Sequence, residues 1–203
     1  MIQGPARSNA RKYSNPNPLH QWLLHRFLDR VAGEVRWALG EATGTTLLDV
    51  GCGEGYVLRH LRPSIPGLQA QGIDGDRRAL GQARAASPEA VLWQGDAALL
   101  PFRDRSFDMV TCIEVLEHLR EPWQAMAELA RVSQGPILLS VPHQPYFALA
   151  NLLRGQNLSR LGEDPDHLHH WTASQFLVQV RKRLGVVRLC HPFPWLLLLA
   201  EAK

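Results

Sequence analysis

Leu47-Leu48-Asp49-Val50-Gly51-Cys52-Gly53-Glu54-Gly55 joins a short apolar run to three glycines spaced two apart. Leu47, Leu48 and Val50 read as a buried strand. The glycines read as a turn without Cβ atoms, where main chain can approach a ligand closely. A strand that runs into such a turn and restarts as a helix marks a nucleotide-type cofactor site at the C-terminal edge of a parallel sheet.

Outward from that stretch, the hydrophobic periodicity alternates between the two regular structures. Leu19, Trp22, Leu23, Phe27, Val31, Val35 and Leu39 recur at three- and four-residue steps and predict a helix over 19–39, preceded by a Gly/Pro/Asn-rich arm. Strands are expected at 46–50, 70–74, 90–94, 107–113 and 137–141, with helices at 55–61, at 77–86 and from the end of the fourth strand through Val132. Residues 142–171 read as irregular or partly helical, followed by a helix over 172–184. Two last strands, 186–191 and 195–201, lie too close together for a crossover helix and must pair antiparallel. The expectation is an α/β fold: a seven-stranded, mostly parallel sheet with helices on both faces and a C-terminal antiparallel hairpin.

A chain of 203 residues, 45% hydrophobic and 20% charged, has the composition of one globular domain with an ample core. A net charge of +3 is too small to argue for nucleic acid as a partner. The basic clusters Arg11-Lys12 and Arg181-Lys182-Arg183 read as solvated surface. Cys52, Cys112 and Cys190 are far apart and form no CxxC pair, so a reducing cytoplasm is the expected setting. Met1 to Arg11 lacks the apolar stretch of a signal peptide, and the apolar run Trp195–Ala200 is far short of a membrane span.

Four ordered segments carry a resemblance to a known family: Leu47–Gly55, Gly72-Ile73-Asp74, Gly95-Asp96-Ala97, and Phe107-Asp108 through Leu119. Over residue 45 to the C-terminus the chain resembles the class I S-adenosylmethionine-dependent methyltransferases, of the type 11 kind. The resemblance implies a Rossmann-like, doubly wound sheet with S-adenosylmethionine as cofactor. Gly51, Cys52, Gly53 and Gly55 would face its methionine end, since amides at a helix N-terminus favour a carboxylate. Asp49 would lie near its amine. Asp74, 19 residues after Gly55 and followed by Gly75, would take the ribose hydroxyls, with Asp76 as runner-up. Asp96 and Ala97 would hold the adenine, and Ile113 and Glu114 would border the adenosine. Glu54, at the tip of the loop, is expected to face solvent. A dinucleotide dehydrogenase is the rival, but GxGxxG requires glycine where Tyr56 stands. Taken singly, each aspartate reads equally well as a cap or turn residue.

If a helical turn follows the fourth strand, Glu114, Glu117 and His118 share one face at i, i+3 and i+4. This Glu-x-x-Glu-His run, with a downstream Asp166-His167 and Trp171-Thr172, resembles two metal-dependent O-methyltransferase groups, those acting on small-RNA 3′ ends and those of the ubiquinone pathway. The resemblance implies Mg²⁺ or Mn²⁺ held by Glu114, Glu117, His118 and His167; the alternative is that His118 packs or caps. His143, just after the fifth strand, is the candidate general base, and an ordinary loop histidine otherwise. Residues 1–44 are expected to form an arm and helix that lid the acceptor site, and 45–203 the cofactor-binding domain. Tyr13 is the lid candidate. Trp22 is expected to pack in the core, and Phe193 and Trp195 to cover the sheet. The expected activity is methyl transfer to a small-molecule acceptor, at oxygen. The rivals are an RNA 2′-O-methyltransferase and a non-catalytic cofactor-binding regulator. Oligomeric state is not legible.

Overall fold

The computed structural model describes residues 16–155 and 157–203. Seven strands form one sheet: β1 (Thr46–Val50), β2 (Gln69–Asp74), β3 (Val91–Gln94), β4 (Met109–Ile113), β5 (Ile137–Pro142), β6 (Leu184–Cys190) and β7 (Trp195–Ala202). Their order is β3-β2-β1-β4-β5-β7-β6. β1 to β5 pair parallel, while β7 runs antiparallel between β5 and β6. This is the expected Rossmann-like arrangement, with its topological switch point between β1 and β4.

Strand side chains alternate between two cores. Leu47, Met109, Leu138, Leu197 and Leu199 face α1 (Pro18–Leu39) and α2 (Tyr56–Leu61), whereas Leu48, Val110, Leu139 and Leu198 face α4 (Pro122–Val132) and α6 (Ala173–Arg181). Two further helices, α3 (Arg77–Ala86) and α5 (Tyr146–Leu153), follow β2 and β5. α1 begins where Asn17 caps the amides of Leu19 and His20, with Pro18 in the first turn.

The buried stripe of α1 runs through Leu24, Phe27, Leu28, Val31, Ala32 and Val35. Trp22 does not pack in the core as expected: it is 52% exposed, and Leu19 is 57% exposed. Five residues before Phe27, Trp22 is turned about 140° round the helix from the buried stripe. Phe193 is also exposed, while Trp195 is buried against Phe27 with ring centroids 4.5 Å apart.

No helix follows β4 directly. Glu114 adopts a left-handed conformation (φ 58°), a 3₁₀ turn spans Leu116–His118, and α4 starts only at Pro122. The premise that Glu114, Glu117 and His118 share a helical face is therefore corrected. Tyr13 and the Arg11-Lys12 cluster lie outside the described residues.

Phe27 is 1% exposed and joins α1 to the sheet through Trp195. Phe27→Ala is expected to cost about 3–5 kcal/mol of unfolding free energy in urea melts. A loss below about 1 kcal/mol would mean that α1 does not depend on this contact.

Candidate active site

All five parallel strands end at one edge of the sheet, so the loops after β1, β2, β3, β4 and β5 converge there. Gly51 has φ 74°, and a Cβ on it would run into the side chain of Val115, which follows β4. Gly55 has φ 78° at the N-cap of α2, where a Cβ would lie 3.1 Å from that of Ala83. Both positions thus combine a left-handed backbone with close packing, a pairing only glycine meets without strain.

The loop is fastened to the end of β2. The amides of Gly51 and Cys52 donate to the Ile73 carbonyl at 2.7 and 3.1 Å. The Gly53 amide donates to Asp74 Oδ2 at 2.8 Å, and the Asp76 amide donates to Asp74 Oδ1 at 2.7 Å. Each Asp74 oxygen keeps a lone pair for a hydroxyl donor. Burial raises the Asp74 carboxyl above its ordinary value, against the pull of the Asp76 and Gly53 amides. Asp76 instead caps α3 through the Arg78 amide, which accounts for its carboxylate. Gly75 lies exposed between them.

Asp49 is 2% exposed and accepts a hydrogen bond from Thr111 Oγ1 at 2.7 Å. Burial pushes its carboxyl up to about 7, the Thr111 hydroxyl opposes this, and nearby Asp74 adds to it. Burial likewise pushes the Cys52 thiol up, which makes Cys52 a packing residue rather than a nucleophile. Glu54 does not face solvent as expected; it is 4% exposed, drawn in by the tight turn on either side. After β3, exposed Asp96 accepts from the Ala98 amide at 2.9 Å, a bond that lowers its carboxyl pKa; half-buried Ala97 lies beside it. Asp108 lies at the opposite end of β4, clamping the amide and hydroxyl of Thr46 at 2.8 Å each, so it belongs to the sheet and not to this edge.

Ile113, 8% exposed, ends β4. Beyond it, Glu114 accepts from Ser140 Oγ at 2.8 Å and does not join the cluster that Glu117 and His118 form with His167. Glu117, His118 and His167 do come together, with one ligand atom from each lying within 4.8 Å of the others. The amides of Leu168 and His169 donate to the Glu117 carbonyl, which brings His167 to this turn from a distant segment. His118 Nδ1 lies 2.9 Å from the Asp166 carbonyl oxygen. A carbonyl only accepts, so the proton sits on Nδ1 and Nε2 presents its lone pair. His169 Nε2 meets the Leu119 carbonyl at 2.9 Å, and its ring stacks on Trp171. It is a structural residue.

His143 follows β5, its ring 5.4 Å from that of His191 and 4.8 Å from that of Tyr146. Burial lowers its pKa, and His191 lowers it further. Ser140 and Thr111, which orient two of the acids, gave no sequence signal beyond their place on buried strands. The Asp166 carbonyl gave none at all, because main-chain acceptors are common to every residue.

Residues 48–136 match the type 11 methyltransferase domain family. A probable S-adenosylmethionine-dependent methyltransferase of Mycobacterium tuberculosis is 34% identical over 108 residues, which is 52% of this chain and 39% of that protein. A demethylmenaquinone methyltransferase of Renibacterium salmoninarum is 32% identical over 112 residues, 54% of this chain and 46% of that protein. The chain thus spans under half the length of these relatives. Magnesium protoporphyrin IX methyltransferase from Synechocystis, solved with bound SAH, superposes with a TM-score of 0.72 at 18% identity, covering 95% of this chain and 92% of that one. That last likeness is one of fold. Residues 48–136 are thus a methyltransferase domain of the type 11 family, similar in sequence to S-adenosylmethionine-dependent methyltransferases.

Proposed function

We propose that this chain transfers a methyl group from S-adenosylmethionine to a small-molecule acceptor, at oxygen. The observation that carries the reading is the joint between the glycine turn and Asp74 at the β1/β4 switch point. It packs Gly51 and Gly55 closely against Val115 and Ala83 and leaves Asp74 at the end of β2 as a carboxylate with lone pairs beyond the two amides it accepts from. The sulfonium supplies an already activated methyl, so the protein has chiefly to align the acceptor and, where needed, accept a proton. Asp74 would hold the ribose hydroxyls, Asp96 with Ala97 the adenine edge, and the amides after Gly53 the carboxylate. Asp49 would face the amine. His143, whose pKa is lowered by burial and by His191, suits the part of proton acceptor.

Glu117, His118 and His167 fit a divalent cation. Two imidazoles and one carboxylate suit Mn²⁺ better than Mg²⁺, which prefers an all-oxygen shell. An ion there would lower the pKa of an acceptor hydroxyl. Glu117 is fully buried, with its carboxylate 4.0 Å from His118 Nε2. Three protein ligands leave positions open for hydroxyls or water. No helix of the described residues is long and apolar enough to cross a membrane.

Three measurements test this reading. Calorimetry should detect binding of S-adenosylhomocysteine, and Asp74→Ala should weaken it by about 100-fold, as loss of charge-assisted bonds worth about 1.5–3 kcal/mol each implies. Labelled methyl should pass from S-adenosylmethionine into a metabolite extract. Unchanged affinity in Asp74→Ala, or no label transferred, overturns the assignment.

The pH dependence follows from Asp49. In the free protein its carboxyl is held up near 7, above the ordinary 3.8. A raised acid binds its proton more tightly folded than unfolded. Its contribution to stability is therefore present below about pH 4 and lost as pH climbs through about 7. A bound amine favours the ionised form, so affinity for S-adenosylhomocysteine should rise about tenfold from about pH 6 to 8. Asp49→Asn should flatten that rise; an equal slope in the variant would remove Asp49 from the amine site.

Mn²⁺ titrated into the protein should lose its free-ion electron paramagnetic resonance signal with a stoichiometry of one. His167→Ala should weaken binding by about 10–100-fold. A signal that remains unchanged on titration would dismiss the metal.

A further inference from the structure

A concavity lies beside the end of β5, next to the site. α1, the outer strand β6 and the β6–β7 turn enclose a groove of about 960 Å³, lined among others by Trp22, Arg26, Arg30, Arg188, His191 and Phe193. Two of these are aromatic rings left half exposed, Trp22 at 52% and Phe193 at 51%. Large exposed apolar faces gathered in one concavity mark a binding surface.

The groove is also short of negative charge. Glu34, 3% exposed behind the wall, is shared between two guanidiniums: Arg30 at 2.8 Å and Arg188 at 3.5 Å. Their side chains remain 43% and 40% exposed, so the shared carboxylate positions them without covering them. Arg26 lies 4.7 Å over the Trp22 ring and pairs with no carboxylate among the described residues. Asp29, also in the lining, is engaged by His60 at 2.9 Å. Three guanidiniums thus face two carboxylates, and two of the three share Glu34 between them. The first 15 residues of the chain carry Arg7, Arg11 and Lys12 and no acidic residue, so they do not supply the missing anion.

The groove leads to the end of β5. His191 lies ring to ring with His143 at 5.4 Å, and Phe193 with Tyr146 at 6.4 Å; Tyr146 in turn is 4.8 Å from His143. An acceptor reacting beside His143 would extend the rest of its body along Phe193 and Trp22.

We propose that this groove holds the methyl acceptor, and that the acceptor is an organic anion with a flat apolar body. Its rings lie between Trp22 and Phe193, and its anionic group meets Arg26 with Arg30 or Arg188. The assignment rests on the methyl-transfer reading for its chemistry, but not for its binding.

Two fluorescent probes of nearly the same ring body test it: 1-anilinonaphthalene-8-sulfonate, which is anionic, and N-phenyl-1-naphthylamine, which is neutral. The sulfonate should bind the full chain with a stoichiometry of one. The double variant R26E/R188E should weaken it about tenfold or more, one decade for each reversed charge that truly meets the anion. The neutral probe should bind both proteins within about twofold. Circular dichroism and S-adenosylhomocysteine calorimetry report whether the variant is folded; if it is not, R26Q alone should still weaken the sulfonate selectively. Equal effects on the two probes, or none on either, overturn the proposal. Displacement of the sulfonate by a short RNA at submicromolar concentration also overturns it, in favour of a nucleic-acid acceptor. In the labelled-methyl assay, passing the extract through an anion exchanger first should remove most of the incorporation, and full incorporation after that step would overturn the acceptor class. Failure of S-adenosylhomocysteine to bind would instead strike the methyl-transfer reading and leave the probe result standing.

Discussion

Asp74 is the joint on which this edge of the sheet depends. One of its oxygens takes the Gly53 amide from the loop after β1, and the other takes the Asp76 amide from its own loop. With the Ile73 carbonyl accepting from Gly51 and Cys52, the glycine turn is stitched to β2 by three successive main-chain amides, those of Gly51, Cys52 and Gly53. A loop held this way can keep its left-handed glycines and its close approach to Val115 without a ligand to support it. Preorganisation of this kind is what allows binding energy to be spent on the ligand rather than on ordering the loop.

The same packing has an electrostatic consequence. Asp49 and Asp74 are withdrawn from water, and the bonds they receive come from amides and a hydroxyl, which are dipoles rather than charges. Both carboxyls are raised in consequence. A cation arriving here meets acids that gain more from it than exposed acids would, because the field is less screened. The buried carboxylates thus weaken the free fold near neutrality while favouring a cationic ligand.

Much of this was legible in the sequence. Strands with apolar runs at both faces, three glycines after β1, and acids at the ends of β2 and β3 each leave a one-dimensional trace, and the sheet follows from their alternation. Three features left none. Glu114 is left-handed, which a non-glycine residue does not announce, and this single torsion dismantled the expected helical face. Glu54 is buried by the turn around it, a result of tertiary packing that polarity alone argues against. Trp22 was read into the apolar stripe because three- and four-residue steps fit two neighbouring stripes equally well until Phe27 meets Trp195.

The division between what was legible and what was not follows the architecture. The cofactor edge is built from five parallel strand ends, whose register places Asp49, Asp74 and the turn residues relative to one another with little freedom. The groove beside it is built from α1, the outer strand β6 and a short turn, which touch only where the chain has already folded. Glu34 and Arg188 are 154 residues apart in the chain, so no local pattern couples them. Fold therefore constrains the strand-end side strongly and the groove side weakly, and a shared sheet does not by itself fix what binds beside it. Selectivity in such a molecule belongs to the periphery: a half-turn of α1 that brings Trp22 outward, and one buried carboxylate that holds two guanidiniums apart, alter what can bind without disturbing a single hydrogen bond at the glycine turn.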